Sequence, residues 1–266
     1  MDRNILSAVE SAMQRFDLRG KSALVTGGNG GIGAGIARGL LECGATVVIA
    51  GRNVTKNGAM VAELQTVGPP VSAVVLDVRD ESQCYAAVRE VVRRSGRLDI
   101  LVNNAGIGNG KPPQDVTVVE WHEVMNTNLT SAFLLSRAAY PEMKKMRGGK
   151  IINIGSMASH LAFAGIPAYG ASKAGIIQFG RTCAAVWAKD NIQVNTILPG
   201  YIDTAMTRQR LQQDAVLHAR LVARTPAGRM GTPDDFAGIA AFLASPASDF
   251  ITGPEIPVDG GFLWAI

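Results

Sequence analysis

Tyr169 and Lys173 stand four residues apart in Tyr169-Gly170-Ala171-Ser172-Lys173. On a helix that spacing puts both side chains on one face. A free tyrosine ionises near pH ~10, too high for a good base near neutrality. A neighbouring ammonium favours the tyrosinate and lowers that value. The pair is therefore a candidate to take a proton from an alcohol or return one to a ketone. Ser156 lies upstream, directly after the run Ile151-Ile152-Asn153-Ile154, with Ser159 as a nearby competitor.

A second chemical signal comes earlier. Ser22–Thr26 runs into Gly27-Gly28-Asn29-Gly30-Gly31-Ile32-Gly33. Glycines allow a tight turn and let a phosphate approach the backbone. A helix starting there would offer N–H groups and partial positive charge to a pyrophosphate. Gly28-x-Gly30-x-x-Gly33 fits the general dinucleotide pattern, and its place between a first strand and a helix strengthens the match.

These residues need a scaffold, and the pattern around them supplies one. Strands are expected at Ser22–Thr26, Thr46–Ala50, Val71–Val78, Ile100–Asn103, Lys150–Ile154, Gln193–Leu198 and Glu255–Val258. Helices are expected over 31–43, 54–67, 81–95, 117–146, 168–189 and 233–244. The strands are unbroken apolar runs, as in a parallel sheet covered on both faces. Their alternation with helices predicts an α/β, doubly wound (Rossmann-type) fold in one domain. Residues 1–15 form an N-terminal extension. Ile5, Val9, Ala12, Met13 and Phe16 recur at spacings of three and four, which predicts a short amphipathic helix. Residues 16–266 form the catalytic domain, with a helical lid about 205–224 carrying Met206, Leu211, Leu217 and Leu221.

Composition narrows the class. Hydrophobic residues make up 47% of the 266, and the net charge is +4 without a basic stripe or tail. That argues against nucleic acid as a partner. No stretch reaches the ~20 apolar residues of a membrane span, and Asp2, Arg3 and Glu10 interrupt any leader-like core. Cys43, Cys84 and Cys183 are far apart and odd in number, as expected of reduced thiols in the cytoplasm. His122, His160 and His218 show no metal spacing, so no metal is expected.

From the glycine loop onward the chain resembles the short-chain dehydrogenase/reductase family. The family's Thr-Gly-x-x-x-Gly-x-Gly appears as Thr26, Gly27, Gly31 and Gly33. Leu76-Asp77-Val78, Asn103-Asn104-Ala105-Gly106, Ser156, Tyr169-x-x-x-Lys173, Pro199-Gly200 with Thr204, and Val258-Asp259-Gly260-Gly261 follow in the family's order. The likeness covers about residues 16–262. It implies an oxidoreductase that moves a hydride between NAD(P) and a secondary alcohol or ketone, with Asn128, Ser156, Tyr169 and Lys173 as the catalytic tetrad. Ser156 would polarise the substrate oxygen, Lys173 would also bind the nicotinamide ribose, and Asn128 would hold a water of a proton relay. Asn126 is the alternative by register.

The resemblance also implies cofactor contacts from Gly27, Asn29, Gly30, Gly31, Ile32 and Gly33 in the loop. Further contacts would come from Arg52, Asn53, Asp77 and Val78, from Asn104, Ala105 and Gly106, and from Pro199, Gly200, Ile202 and Thr204. Substrate contacts are expected from Ser156, His160, Phe163, Tyr169 and Tyr201. An NAD site normally carries an acidic residue ~20 positions past the loop. Here Gly51 stands in that place and Arg52 follows it. NADP(H) is therefore the expected cofactor, with NAD(H) as the alternative. The family implies a homotetramer. Two rival functions stand beside this one. A 3-oxoacyl-[acyl-carrier-protein] reductase would use Lys144, Lys145 and Arg147 to meet an acidic carrier. A non-catalytic nucleotide-sensing module would be expected to have a damaged tetrad.

Overall fold

Seven apolar segments assemble into one parallel sheet in the order β3-β2-β1-β4-β5-β6-β7. In this computed structural model the described residues are 13–68, 70–108, 110–205, 207–208 and 214–265. The strands are β1 Ser22–Thr26, β2 Thr46–Gly51, β3 Val71–Val75, β4 Ile100–Asn103, β5 Gly149–Ile154, β6 Ile192–Pro199 and β7 Glu255–Val258. All residues of β1, β4 and β6 are buried, which is why their sequences are apolar without alternation. Ala23 pairs with Val47 on one side and Ile100 on the other. The chain thus reverses its direction of travel across the sheet between β1 and β4. A crevice opens at the carboxyl ends of the strands at such a point, and ligands bind there.

Helices cover both faces. One face carries α1 (Gly31–Glu42), α2 (Val54–Leu64) and the C-terminal α8 (Ala237–Ala244). On the other lie α3 (Glu81–Ser95), α4 (Val118–Met125), α5 (Ser131–Lys145) and α6 (Pro167–Trp187), while α7 is Ala215–Arg224. Ile36, Leu40, Phe236 and Leu243 pack with Val25 and Ile49 under the first face. Leu98, Leu135, Met143 and Val194 fill the second core with Leu24 and Val48. At Gly35 and Gly39 an added Cβ would fall 1.9 Å from Pro233 O and 2.5 Å from Ala237 O. Small residues there let α1 and α8 approach closely.

Three expectations need correction in detail. The third strand ends at Val75 rather than Val78. After Leu76 N reaches Gly51 O at 3.3 Å, Asp77 N turns to the Gln83 side chain at 2.9 Å, and the ladder stops. The helix expected over 117–146 is α4, a π-helical turn at Asn126–Thr130, and then α5. The segment 233–244 begins as a 3₁₀ turn, Pro233–Phe236. In the expected lid, α7 and residues 205, 207 and 208 are helical, while 206 and 209–213 lie outside the described residues. The expected N-terminal helix also lies outside them, apart from helical residues 13 and 14.

Candidate active site

The glycine loop is held in shape by the ends of β1 and β4. Thr26 Oγ1 donates to Val102 O at 3.1 Å and accepts from Asn104 N and Ala105 N at 3.0 and 3.1 Å. Asn104 Nδ2 donates to Thr26 O at 2.8 Å. Gly27 and Gly31 have φ of +64° and +52°, a region that side chains rarely adopt. A Cβ on Gly33 would sit 2.4 Å from Gly27 O. Gly30 opens α1 with no side-chain cap and no acidic residue in the first turn, and nothing lies within 4 Å of where its Cβ would be. The helix N-terminus thus has neither a side-chain cap nor an acidic neighbour in its first turn, a fit for the pyrophosphate of a dinucleotide.

A cleft of about 750 Å³ starts at this loop. Gly27, Asn29, Gly30, Gly31 and Ile32 line its first part. Asn104, Ala105 and Gly106 line its middle, and Pro199, Gly200, Ile202 and Thr204 its far wall. Ser156, Tyr169 and Lys173 also open into it. Gly33 lies behind the loop. Four other expected contacts stand apart from the cleft lining. Arg52 is exposed past β2. The Asn53 side chain caps α2, accepting from Lys56 N at 2.9 Å. Asp77 is gripped by Arg79, whose guanidinium holds its carboxyl down at about 2. Val78 is buried with Cys84 in the second core. In their stead the outer face of α2 contributes Lys56, Ala59, Met60 and Glu63. Sequence reasoning passed over these. The i, i+3, i+4, i+7 spacing of one helical face next to the glycine loop was the available signal.

Within the cleft, Lys173 Nζ donates to Ile154 O at 2.7 Å and lies 5.7 Å from the Tyr169 ring centre. Burial lowers the Lys173 ammonium to about 8. Burial also pushes the Tyr169 hydroxyl upward, and hydrogen bonding with Ser156 works against that rise. The expected lowering of Tyr169 is thus opposed in the protein alone by loss of solvent. Ser156 faces the cleft, and its Oγ accepts from Ala158 N at 3.1 Å. The Ser159 hydroxyl is buried without a partner among the described residues and lines neither cavity.

Asn128 sits in the π-helical turn. Its Oδ1 accepts from Ile107 N at 2.8 Å, and its Nδ2 donates to Ile107 O at 2.9 Å and Ser172 Oγ at 3.0 Å. It therefore joins the segment after β4 to α6. Asn126 instead accepts from Thr130 on its own turn. Asn103 Nδ2 donates to Ser136 and Asn153 within the core.

A second cavity, about 510 Å³, opens on the other side of Ser156 and Tyr169 and shares Gly200 and Thr207 with the first. Phe163 and Tyr201 line it, as expected. His160 does not. Its Nε2 meets Glu255 Oε2 of β7 at 3.0 Å, and the residue lines neither cavity. The Lys144 and Lys145 ammonium groups have local carboxylate partners, Asp190 at 3.2 Å and Glu142 at 2.8 Å. That leaves less unpaired charge for an acidic carrier than the sequence suggested. Chemically, the site offers a nucleotide-shaped cleft and a separate small-molecule cavity that meet at two hydroxyls and a buried ammonium.

A family model described as enoyl-(acyl carrier protein) reductase matches residues 27–263. A 2-dehydro-3-deoxy-D-gluconate 5-dehydrogenase of Dickeya dadantii is 41% identical over 252 residues, covering 94% of this chain and 98% of that one. A 3-oxoacyl-[acyl-carrier-protein] reductase of Vibrio harveyi is 39% identical over 246 residues, 92% of this chain and 98% of that one. The crystal structure of a gluconate 5-dehydrogenase from Burkholderia cenocepacia, in complex with NADP and tartrate, superposes with a TM-score of 0.91. It is 41% identical, over 96% of this chain and all of that one (100%).

Proposed function

The chain belongs to the short-chain dehydrogenase/reductase family, and from that premise we propose that Ser156, Tyr169, Lys173 and Asn128 run its interconversion of a secondary alcohol and a ketone. It is an oxidoreductase acting on CH–OH groups. The observation that supports this assignment of roles is the meeting of the two cavities at Ser156 and Tyr169.

A nicotinamide dinucleotide seated in the cleft supplies or accepts the hydride. The protein moves the proton. In reduction the Ser156 hydroxyl donates to the substrate carbonyl oxygen and polarises it. Tyr169 then gives that oxygen its hydroxyl proton as the carbonyl carbon gains the hydride. In oxidation both transfers reverse. Lys173, held by Ile154 O, places a positive charge beside the phenol and favours its anion. Asn128 fixes the Ile107 backbone and with it the segment after β4.

NADP(H) is the cofactor of this reading. Gly51 carries no carboxylate to repel a 2′-phosphate, and Arg52 and Lys56 supply nearby cations. The gluconate 5-dehydrogenase relative, solved with NADP, supports the same choice. Thr207, Leu217 and Leu221, which line the second cavity, belong to a lid about 205–224 that closes over the active site, within a catalytic domain spanning 16–266. The protein works as a homotetramer in the cytoplasm. Phe133 on α5 and Val186 on α6 are exposed apolar residues suited to subunit contact. A monomeric mass by light scattering at micromolar concentration would contradict the assembly.

The central test measures NADPH oxidation by the wild type and by Tyr169→Phe against a panel of ketones. Turnover should fall at least about a thousandfold in the variant, while NADPH still binds. Near-normal turnover in Tyr169→Phe would sink the mechanism.

A further inference from the structure

The cavity beyond Ser156 and Tyr169 presents a wall poorly suited to a sugar acid. Met157, Phe163, Ile166, Leu217 and Leu221 line it, and no charged side chain does so among the described residues. Met157 and Leu221 pack with the fully buried Phe262 underneath. Phe163 meets Tyr201 edge to face at 6.3 Å, and Tyr201 meets Phe262 the same way at 5.2 Å. Aromatic rings packed edge to face in this manner form a stiff apolar wall.

Thr207, a polar side chain of the lining, is already engaged. Thr207 Oγ1 donates to Ile202 O and accepts from Thr204 N at 3.0 Å. Among the described residues the nearby cations are paired too: Arg208 meets Asp203 at 2.8 Å, and Lys111 is paired with Glu120. The Arg224 guanidinium lies 4.4 Å above the Phe262 ring. A sugar acid brings a carboxylate and several hydroxyls, and each that is buried without a partner costs free energy. A cyclic or aryl ketone brings one oxygen, and Ser156 and Tyr169 accommodate one oxygen.

We propose that the preferred substrate is an uncharged, ring-bearing apolar ketone or its secondary alcohol, seated with its oxygen at Ser156 and Tyr169 and its ring against Phe163, Leu217 and Leu221. This rests on the oxidoreductase reading and narrows it. The specificity would differ from that in the names of the sugar-acid relatives. A pocket keeps its catalytic hydroxyls while its walls change, because the fold fixes the former and surface segments supply the latter.

The experiment compares kcat/KM with NADPH, on the full chain, for 2-tetralone and for 5-keto-D-gluconate. The expected preference for 2-tetralone is about 100-fold or more, the scale of discrimination that a few pocket contacts can give. Phe163→Asn should raise the KM for 2-tetralone about tenfold, and Leu217→Asn should do so independently, consistent with lost apolar contact. The NADPH dissociation constant, read by nucleotide fluorescence, should stay unchanged in both. A preference for 5-keto-D-gluconate, a ratio below about tenfold, or 2-tetralone KM values unmoved by both variants would each overturn the inference and leave the oxidoreductase reading standing. NADPH binding without turnover of any ketone would overturn both.

Discussion

Asn29 in the glycine loop donates through Nδ2 to Asn57 Oδ1 on α2 at 2.7 Å, and this pair occupies the space beside Gly51. Asn57 is buried, and its own Nδ2 donates to Gly51 O at 2.9 Å and Val74 O at 3.3 Å. A Cβ on Gly51 would fall 2.3 Å from Asn29 Nδ2 and 2.8 Å from Asn57 Oδ1. The place that an acidic residue would take in an NAD site is thus closed by side chains as well as lacking the acid.

Gly51→Asp alone should therefore fail to convert the enzyme to NADH. Overpacking at this point should cost about 1–3 kcal/mol of stability, and kcat/KM should fall with both cofactors. Gly51→Asp combined with Asn29→Gly removes the nearest clash and should recover part of that stability and gain NADH activity. Denaturant melts and cofactor kinetics on the three proteins check this. A single variant that is as stable as wild type and prefers NADH would show that the loop yields freely.

The cations nearby set a second expectation. Arg52 is exposed beyond β2, whereas Lys56 lines the cleft from the first turn of α2. Both should contribute to holding a 2′-phosphate. Arg52→Ala and Lys56→Ala should each reduce kcat/KM for NADPH about tenfold, the scale of one charge-assisted contact, while sparing NADH. Equal losses with both cofactors in either variant would remove that residue from the specificity argument.

Much of this architecture was legible in the sequence because its causes are local. Buried parallel strands must be apolar on both faces, so β1, β4 and β6 announced themselves. The loop glycines were legible because backbone geometry demands them at Gly27, Gly31 and Gly33. Other features depended on partners distant in the chain. Nothing near His160 indicated its contact with Glu255. Nothing near Asn57 indicated Asn29, 28 positions earlier. Asn128 was preferred over Asn126 by resemblance. The π-helical turn shows a physical difference between them, because only Asn128 reaches both Ile107 and Ser172. The residual difficulty lies in side-chain direction, which pattern reading assigns by face and not by partner.

The N-terminal segment divides at a definable point. Arg15 O accepts from Ala247 N at 3.1 Å, and the Phe16 ring lies 6.4 Å from Phe242. Deleting residues 1–12 should leave kcat/KM within about twofold, since no described site residue precedes Gly27. Deleting 1–16 should also remove the Phe16–Phe242 contact and lower the melting temperature. Activity lost in the shorter deletion while the fold is intact, judged by circular dichroism, would place the extension at the active site.

Lys173 couples activity and stability to pH in opposite ways. Burial lowers its ammonium from 10.5 to about 8. Below pH 8 both the folded and unfolded chains carry the proton, and the folded state bears the full cost of a buried charge. Between about 8 and 10.5 the unfolded chain binds more protons, so stability rises with pH across that window. The total rise is on the order of 3 kcal/mol from this group. Over the same window the active site loses the positive charge beside Tyr169. Ketone reduction should therefore hold steady up to about pH 8 and then fall, while the contribution of Lys173 to stability grows. Lys173→Met should abolish most turnover and raise stability at pH 7 by about 1–3 kcal/mol, a gain that shrinks toward zero by pH 10.5. Denaturant melts of wild type and variant at pH 7 and pH 10 separate this contribution from other titrating groups. A variant less stable than wild type at pH 7 would show that the bond from Nζ to Ile154 O outweighs the burial of its charge.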